Sequence, residues 1–125
     1  MEKISLPAIA LLALFGAFGA LARHGLGLFL TYCHCPFPWR TACVNILGCF
    51  GFGIATALCA RGVPPELKLA IITGFFGAFT TFSTLIFEME HLLTSGQILT
   101  AVGSFLLQNL VGFAALYVGM RLIGE

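Results

Sequence analysis

Four long apolar stretches joined by short polar connections decide what this chain of 125 residues can fold into. A helix needs roughly 20 consecutive apolar residues to cross the hydrocarbon of a bilayer. Residues 6–30, 41–60, 67–87 and 98–123 each meet that length. The first contains a single charge, Arg23, the second none, and the fourth carries Arg121 near its end. Charged residues make up 9% of the chain, against roughly 25% in a soluble domain. So few charges cannot cover a water-facing surface. The expected architecture is an all-α membrane protein, a single transmembrane domain over residues 1–125.

The connections support an up-down-up-down path. Residues 31–40 carry Pro36, Pro38 and Trp39, which read as a turn at headgroup level. Residues 61–66 carry Gly62, Pro64 and Pro65, a helix stop and restart. Residues 88–97 are polar and include Gly96. Met1-Glu2-Lys3-Ile4 leads into the first run without a basic signal region, and the run is too long for a signal core, so it reads as a retained membrane helix. Lys3, Arg61, Lys68 and Arg121 fall on the N-terminal side and Arg40 on the other. That bias leans toward a cytoplasmic N-terminus. A bias this small is also what a chain inserted both ways round would carry.

Several function classes drop out. There is no basic run for nucleic acid. No nucleophile–base pair or phosphate loop is present, and His24, His34 and His91 share no ligand spacing, so an enzyme is not expected. Five cysteines make no disulfide framework. Cys43, Cys49 and Cys59 fall in an apolar stretch and read as small hydrophobes. Cys33-His34-Cys35 reads as an ordinary loop, since a single pair of thiols is poor spacing for zinc.

The third apolar stretch is unusual. It runs Thr73-Gly74-Phe75-Phe76-Gly77-Ala78-Phe79-Thr80-Thr81-Phe82-Ser83-Thr84. Hydroxyl side chains compete for backbone hydrogen bonds, so a break is expected between Gly77 and Thr81, near the membrane midplane. Two readings stand side by side: a kink that improves packing, or freed carbonyls that bind an ion. Asn45 in the second stretch needs a polar partner, because a bare amide is costly in hydrocarbon. Interhelical bonding and donation to an anion are both open to it. Arg23 is either a snorkelling anchor or a cation at a vestibule. Glu88 closes the expected third helix, and Glu90 and His91 are expected in solvent. Gln108 and Asn109 need partners, as Asn45 does. Four short helices fill their own centre, so a pore must form between subunits. Small residues at Gly48, Gly51 and Gly53 are expected at that contact, and a homodimer is the simplest assembly.

Together, Gly16-x-x-Gly19-Ala20-x-x-Arg23, Thr41-x-x-Val44-Asn45-x-x-Gly48 and Gly74-x-x-Gly77-x-x-Thr80-Thr81-Phe82-Ser83-Thr84 with Glu88 resemble the CrcB/Fluc family of fluoride channels. The match covers nearly the whole chain, and the third motif is the specific one. The resemblance implies an antiparallel, dual-topology homodimer with two pores in a bacterial inner membrane. It implies passive fluoride export that relieves fluoride toxicity. It also implies a structural sodium ion, held by main-chain carbonyls of the broken helices at Gly77 and Thr80. The implied path uses Asn45 as donor, Phe82 as a bordering ring, Thr41, Ser83 and Thr84 as polar positions, Glu88 near its end and Arg23 at the vestibule. On the fourth helix, Asn109, Phe113 and Tyr117 stand at about the places where the family has small hydroxyl residues. Leu85 departs from the family's second aromatic, and Arg40 from a usual glycine.

Two other readings remain open at this stage. A dual-topology exporter of small cations needs a membrane-embedded carboxylate; the first helix has none, and Glu88 falls at a helix end. A non-conducting subunit of a heterodimeric channel is kept open by the departures at Leu85 and Phe113.

Overall fold

The computed structural model describes residues 4–124. Lys3, counted above toward orientation, lies outside the described residues. Helix α1 spans Leu6–Tyr32, with the Ser5 hydroxyl accepting the Ala8 N–H at 3.3 Å and Pro7 in the first turn, where its missing N–H costs nothing. Helix α2 spans Trp39–Cys59. The third span, Pro65–Thr94, is composite. It begins as α3 (Pro65–Leu69), widens into a π-helix (Ala70–Phe76), and returns to α4 (Gly77–Phe79). It then resumes as α5 (Phe82–Thr94). Helix α6 spans Ile98–Gly124. Gly62 (φ +104°) and Gly96 (φ +77°) supply the left-handed turns at two of the reversals.

The break falls at Thr80–Thr81, inside the expected interval. Thr80 is extended (φ −81°, ψ 156°), as is Thr81 (φ −146°, ψ 115°). The C-terminal end of the span differs from the sequence expectation. Residues 88–94, read as the start of a polar connection, continue α5. Leu85, Glu88, Met89 and Leu92 form one buried face, and Leu85, Met89 and Leu92 pack with Ala101 of α6 and against Phe105. Glu90 and His91 are exposed on the opposite face, as expected. Their polarity marked an exposed stripe of a helix rather than its end.

Packing rests on glycines where backbones touch. Gly19 of α1 faces the Phe75 carbonyl, and a Cβ on Gly74 would sit 2.9 Å from Leu12 O. The small surface read around Gly16 and Gly19 thus lets α1 lie against the π-helix. Along α2 and α6 the device is reciprocal: Gly53 faces the Leu116 carbonyl, and Gly119 faces the Phe50 carbonyl. Gly48 abuts the Thr80 methyl, and a Cβ on Gly51 would come within 2.8 Å of the Phe76 ring. This corrects the assignment of Gly48, Gly51 and Gly53 to a subunit contact, because all three close contacts inside the chain. The Arg61 guanidinium donates to the Ile123 carbonyl, tying the α2–α3 connection to the end of α6.

Within an apolar 18-residue stretch of each span, between 11% and 28% of the residues are buried. The apolar remainder has to meet lipid or another protein surface. Gly119→Val places branched carbon against the Phe50 carbonyl and is expected to lower stability by about 1–3 kcal/mol, the usual cost of overpacking. Thermal unfolding in detergent reads the loss. Gly103→Ala, where nothing lies within 4 Å of an added Cβ, is expected to leave the midpoint unchanged.

Candidate functional site

The site is built around the peptide groups that the break releases. In an unbroken helix the Thr81 N–H would point at the Gly77 carbonyl. Here it donates instead to Asn45 Oδ1 at 2.8 Å, while Asn45 Nδ2 donates to the Thr81 carbonyl at 3.0 Å. One side-chain amide from α2 thereby satisfies both polar groups of a single residue in the interrupted helix. A second N–H on Nδ2 remains available for another acceptor. From α1, Arg23 Nη1 donates to the Thr80 carbonyl at 3.2 Å. The Thr80 hydroxyl donates to Phe76 O at 3.0 Å, ending the upstream half. The Thr81 hydroxyl accepts the Thr84 N–H at 3.3 Å and caps α5.

A second polar pair lies further along α5. The Thr41 hydroxyl donates to Glu88 Oε1 at 2.5 Å. Both side chains are buried, and Glu88 Oε2 has no partner among the described residues. Glu88 is therefore an interior group of a helix, not the marker of its end. Its burial follows from sharing a face with Leu85 and Leu92.

Two grooves flank the break and share Thr81. The larger, about 520 Å³, is bordered by Arg23, Thr31, Phe37, Arg40, Thr41, Thr84 and Glu88. The smaller, about 340 Å³, is bordered by Asn45, Thr80, Phe82, Gln108, Asn109 and Phe113. The sequence candidates thus divide between the grooves: Arg23, Thr41, Thr84 and Glu88 fall on one side, Asn45, Phe82 and Asn109 on the other. Phe82 is 67% exposed, so its ring is free to meet a neighbouring molecule. Ser83 is exposed and borders neither groove. Nothing lies within 4 Å of a Cβ built on Gly77, so this residue faces open space.

On α6 the inward face is one residue out of step with the expected track. Ser104, Gln108 and Gly112 are buried, at helical spacing with Ala101. Asn109 is exposed, and its amide donates to the Phe105 carbonyl of its own helix at 2.7 Å. Tyr117 is exposed and lies 5.2 Å from the Arg121 guanidinium, away from both grooves. Gln108 is 4% exposed, and neither polar atom of its amide has a partner among the described residues. The 101–104–108–112 spacing was the signal for it. Asn109 alone, read as a polar residue in an apolar span, does not carry that information. The π-helix had no signal in residue type at all.

The fold and this site define a multi-pass membrane protein whose polar groups gather where its third span is interrupted. A family model described as "CrcB-like protein, Camphor Resistance (CrcB)" matches residues 10–120. The chain belongs to that family. A protein of Solidesulfovibrio magneticus named "Fluoride-specific ion channel FluC" is 44% identical over 120 residues, 94% of this chain and 96% of the relative. One of the same name from Nitratidesulfovibrio vulgaris is 44% identical over 115 residues, 90% of this chain and 93% of the relative. Another, from Nitrosococcus oceani, is 40% identical over 117 residues, 91% and 94% of the two chains. These relatives are named as channels and not as enzymes.

Thr41→Val removes the one hydrogen bond that the buried Glu88 carboxylate accepts among the described residues. It is expected to destabilise the protein by about 1–3 kcal/mol, the cost of orphaning a buried polar group. Adding Glu88→Gln to that variant is expected to recover part of the loss, because the orphaned group is then neutral. Unfolding midpoints of the single and double variants check both statements.

Proposed function

We propose that this chain is a passive, fluoride-selective channel that lets fluoride leave the cytoplasm across a bacterial inner membrane and so limits its toxicity. The observation that carries the reading is the Asn45–Thr81 clamp at the break of the third span. It fixes neutral donors and turned peptide groups at membrane depth, between two grooves. Fluoride is small and strongly hydrated, so passage needs donors that replace its water step by step. Amide and hydroxyl donors do so without the deep binding that would prevent release, and conduction requires both entry and exit. Arg23 and Arg40 border the larger groove and favour anions at its mouth. The names of the relatives support the same ion.

The working unit in this reading is an antiparallel homodimer. Exposed Phe82 and the open side of Gly77 then meet a second copy, and the grooves become closed paths. Thr41, Thr84 and Glu88 belong to the path with Asn45 and Phe82, whereas Ser83, which borders neither groove, requires the second copy to bring it near one. Of the fourth-helix candidates, Asn109 borders a groove, whereas Tyr117 requires the second copy to bring it near one.

A structural sodium ion suits the residues present. The Gly77 carbonyl loses its helical donor to Asn45, and Gly77 faces open space. The Thr80 carbonyl keeps one lone pair beyond its bond to Arg23. Neutral oxygens are fit ligands for a hard cation. Gly77 and Thr80 would hold it through their main-chain oxygens, and its charge would join the broken helices of two copies.

Proteoliposomes loaded with fluoride are expected to empty through the protein and to retain chloride. Asn45→Asp and Phe82→Ile are each expected to slow efflux by about tenfold or more, roughly 1.4 kcal/mol of barrier. Equal passage of both halides, or of neither, refutes the reading; unchanged rates remove the two residues from the path. Cation uptake driven by a proton gradient and abolished by Glu88→Gln would favour an exporter instead. Replacing sodium with a large organic cation throughout purification is expected to abolish efflux and dissociate the dimer. Full activity without sodium would remove the ion from the assembly.

A further inference from the structure

The Gln108 amide and the Cys49 thiol border the same groove, and neither side chain has a part in the ion path proposed above. Gln108 is 4% exposed, and both polar atoms of its carboxamide lack a partner among the described residues. A buried amide without hydrogen bonds is costly, so such groups take a polar ligand or ordered water. The smaller groove, about 340 Å³, has room beside Gln108 for several waters at about 30 Å³ each. Asn45, Thr80 and Thr81 border it as well and supply the further polar partners that a held water needs.

Cys49 brings a nucleophile to this space. It lies one turn beyond Asn45 on α2 as a half-buried free thiol. Its sulfur stands against α6, since a Cβ built on Gly112 would lie 3.4 Å from Cys49 Sγ. Gly112 follows Gln108 by one turn, so the thiol and the orphaned amide meet one groove from facing helices. Cys43 and Cys59 lie on the same helix as Cys49 but border neither groove. A thiol reacts through its thiolate, which forms where water can take the proton.

We propose that Cys49 is a covalent modification site for small, water-soluble sulfur electrophiles, which reach it through water that Gln108 holds in the smaller groove. With a methanethiosulfonate, the Cys49 thiol gives its proton to water and the thiolate attacks the sulfenyl sulfur. The new S–S bond makes a mixed disulfide, the bond to the sulfonyl sulfur breaks, and methanesulfinate leaves with the electron pair. Gly112 of α6 backs the sulfur on one side, so the added group extends into the groove that Asn45 borders.

The test treats the purified full chain in detergent with 2-(trimethylammonium)ethyl methanethiosulfonate, whose fixed charge keeps it out of hydrocarbon. Sites and rates of reaction are read by mass spectrometry of unreduced peptides. Exposed Cys33 is expected to react first and Cys49 next, while Cys43 and Cys59 keep their thiols. Dithiothreitol should release the adduct. Gln108→Leu is expected to slow modification of Cys49 by about tenfold, through loss of the water that supports the thiolate, and to leave Cys33 unchanged. Leucine replaces an unpartnered amide with an apolar group of similar size, so the fold is expected to hold. The comparison of Cys49 with Cys59 is made within one unaltered chain and needs no variant. Cys49 left unmodified while Cys33 reacts overturns the proposal. So does equal reaction of Cys43 and Cys59, or an unchanged Cys49 rate in Gln108→Leu. The readout is of thiols alone and is independent of which ion the chain passes.

Discussion

In hydrocarbon every peptide group needs a partner within the protein, and this rule makes the Asn45 amide the pivot of the structure. Breaking the third span at Thr80–Thr81 takes helical partners away from half-buried peptide groups. Asn45 gives the Thr81 N–H and carbonyl new ones, and Arg23 takes the Thr80 carbonyl. An aliphatic residue at position 45 would leave the break facing lipid-like surroundings with nothing to bond. The interruption therefore depends on contributions from both flanking helices.

Those helices must come close for short side chains to reach. The distance is set by glycine. Gly48 admits the Thr80 methyl one turn from Asn45, and Gly19 admits the Phe75 carbonyl one turn from Arg23. Each polar group that serves the break thus stands beside the glycine that allows its helix to approach. The π-helix from Ala70 to Phe76 widens the third span in the same region, where α1 lies against it. π segments often accompany functional sites, and here one leads directly into the α4 turn and the break.

Charge is arranged asymmetrically. Arg23, Arg40 and Glu88 all border the larger groove, and Glu88 is the one withdrawn from solvent. The smaller groove has neutral amides, hydroxyls and aromatic rings. In the proposed reading, the larger groove is a cationic mouth that gathers anions and the neutral smaller groove lets them go, as conduction requires. The wide apolar exposure of all four spans, with Phe82 standing outward beside the break, leaves this arrangement open on one side.

Much of this was legible without coordinates. The lengths of the apolar runs, the Pro and Gly reversals and the Gly77–Thr81 interruption follow from local chemistry, because bilayer thickness and backbone hydrogen bonding act on contiguous residues. Asn45 and Arg23 were visible as polar groups that lipid would not tolerate. Their partners were not, because a hydrogen bond across 36 or 57 residues depends on how helices cross. The same limit explains Glu88, which looked like a helix end until α6 gave its face something to bury against. It explains Gln108 too, since only helix rotation distinguishes it from exposed Asn109. Sequence by itself determined which segments enter the membrane and where one must come apart. Tertiary structure decided which groups meet there, since rotation and separation of helices are properties of pairs of surfaces and are written in no single segment.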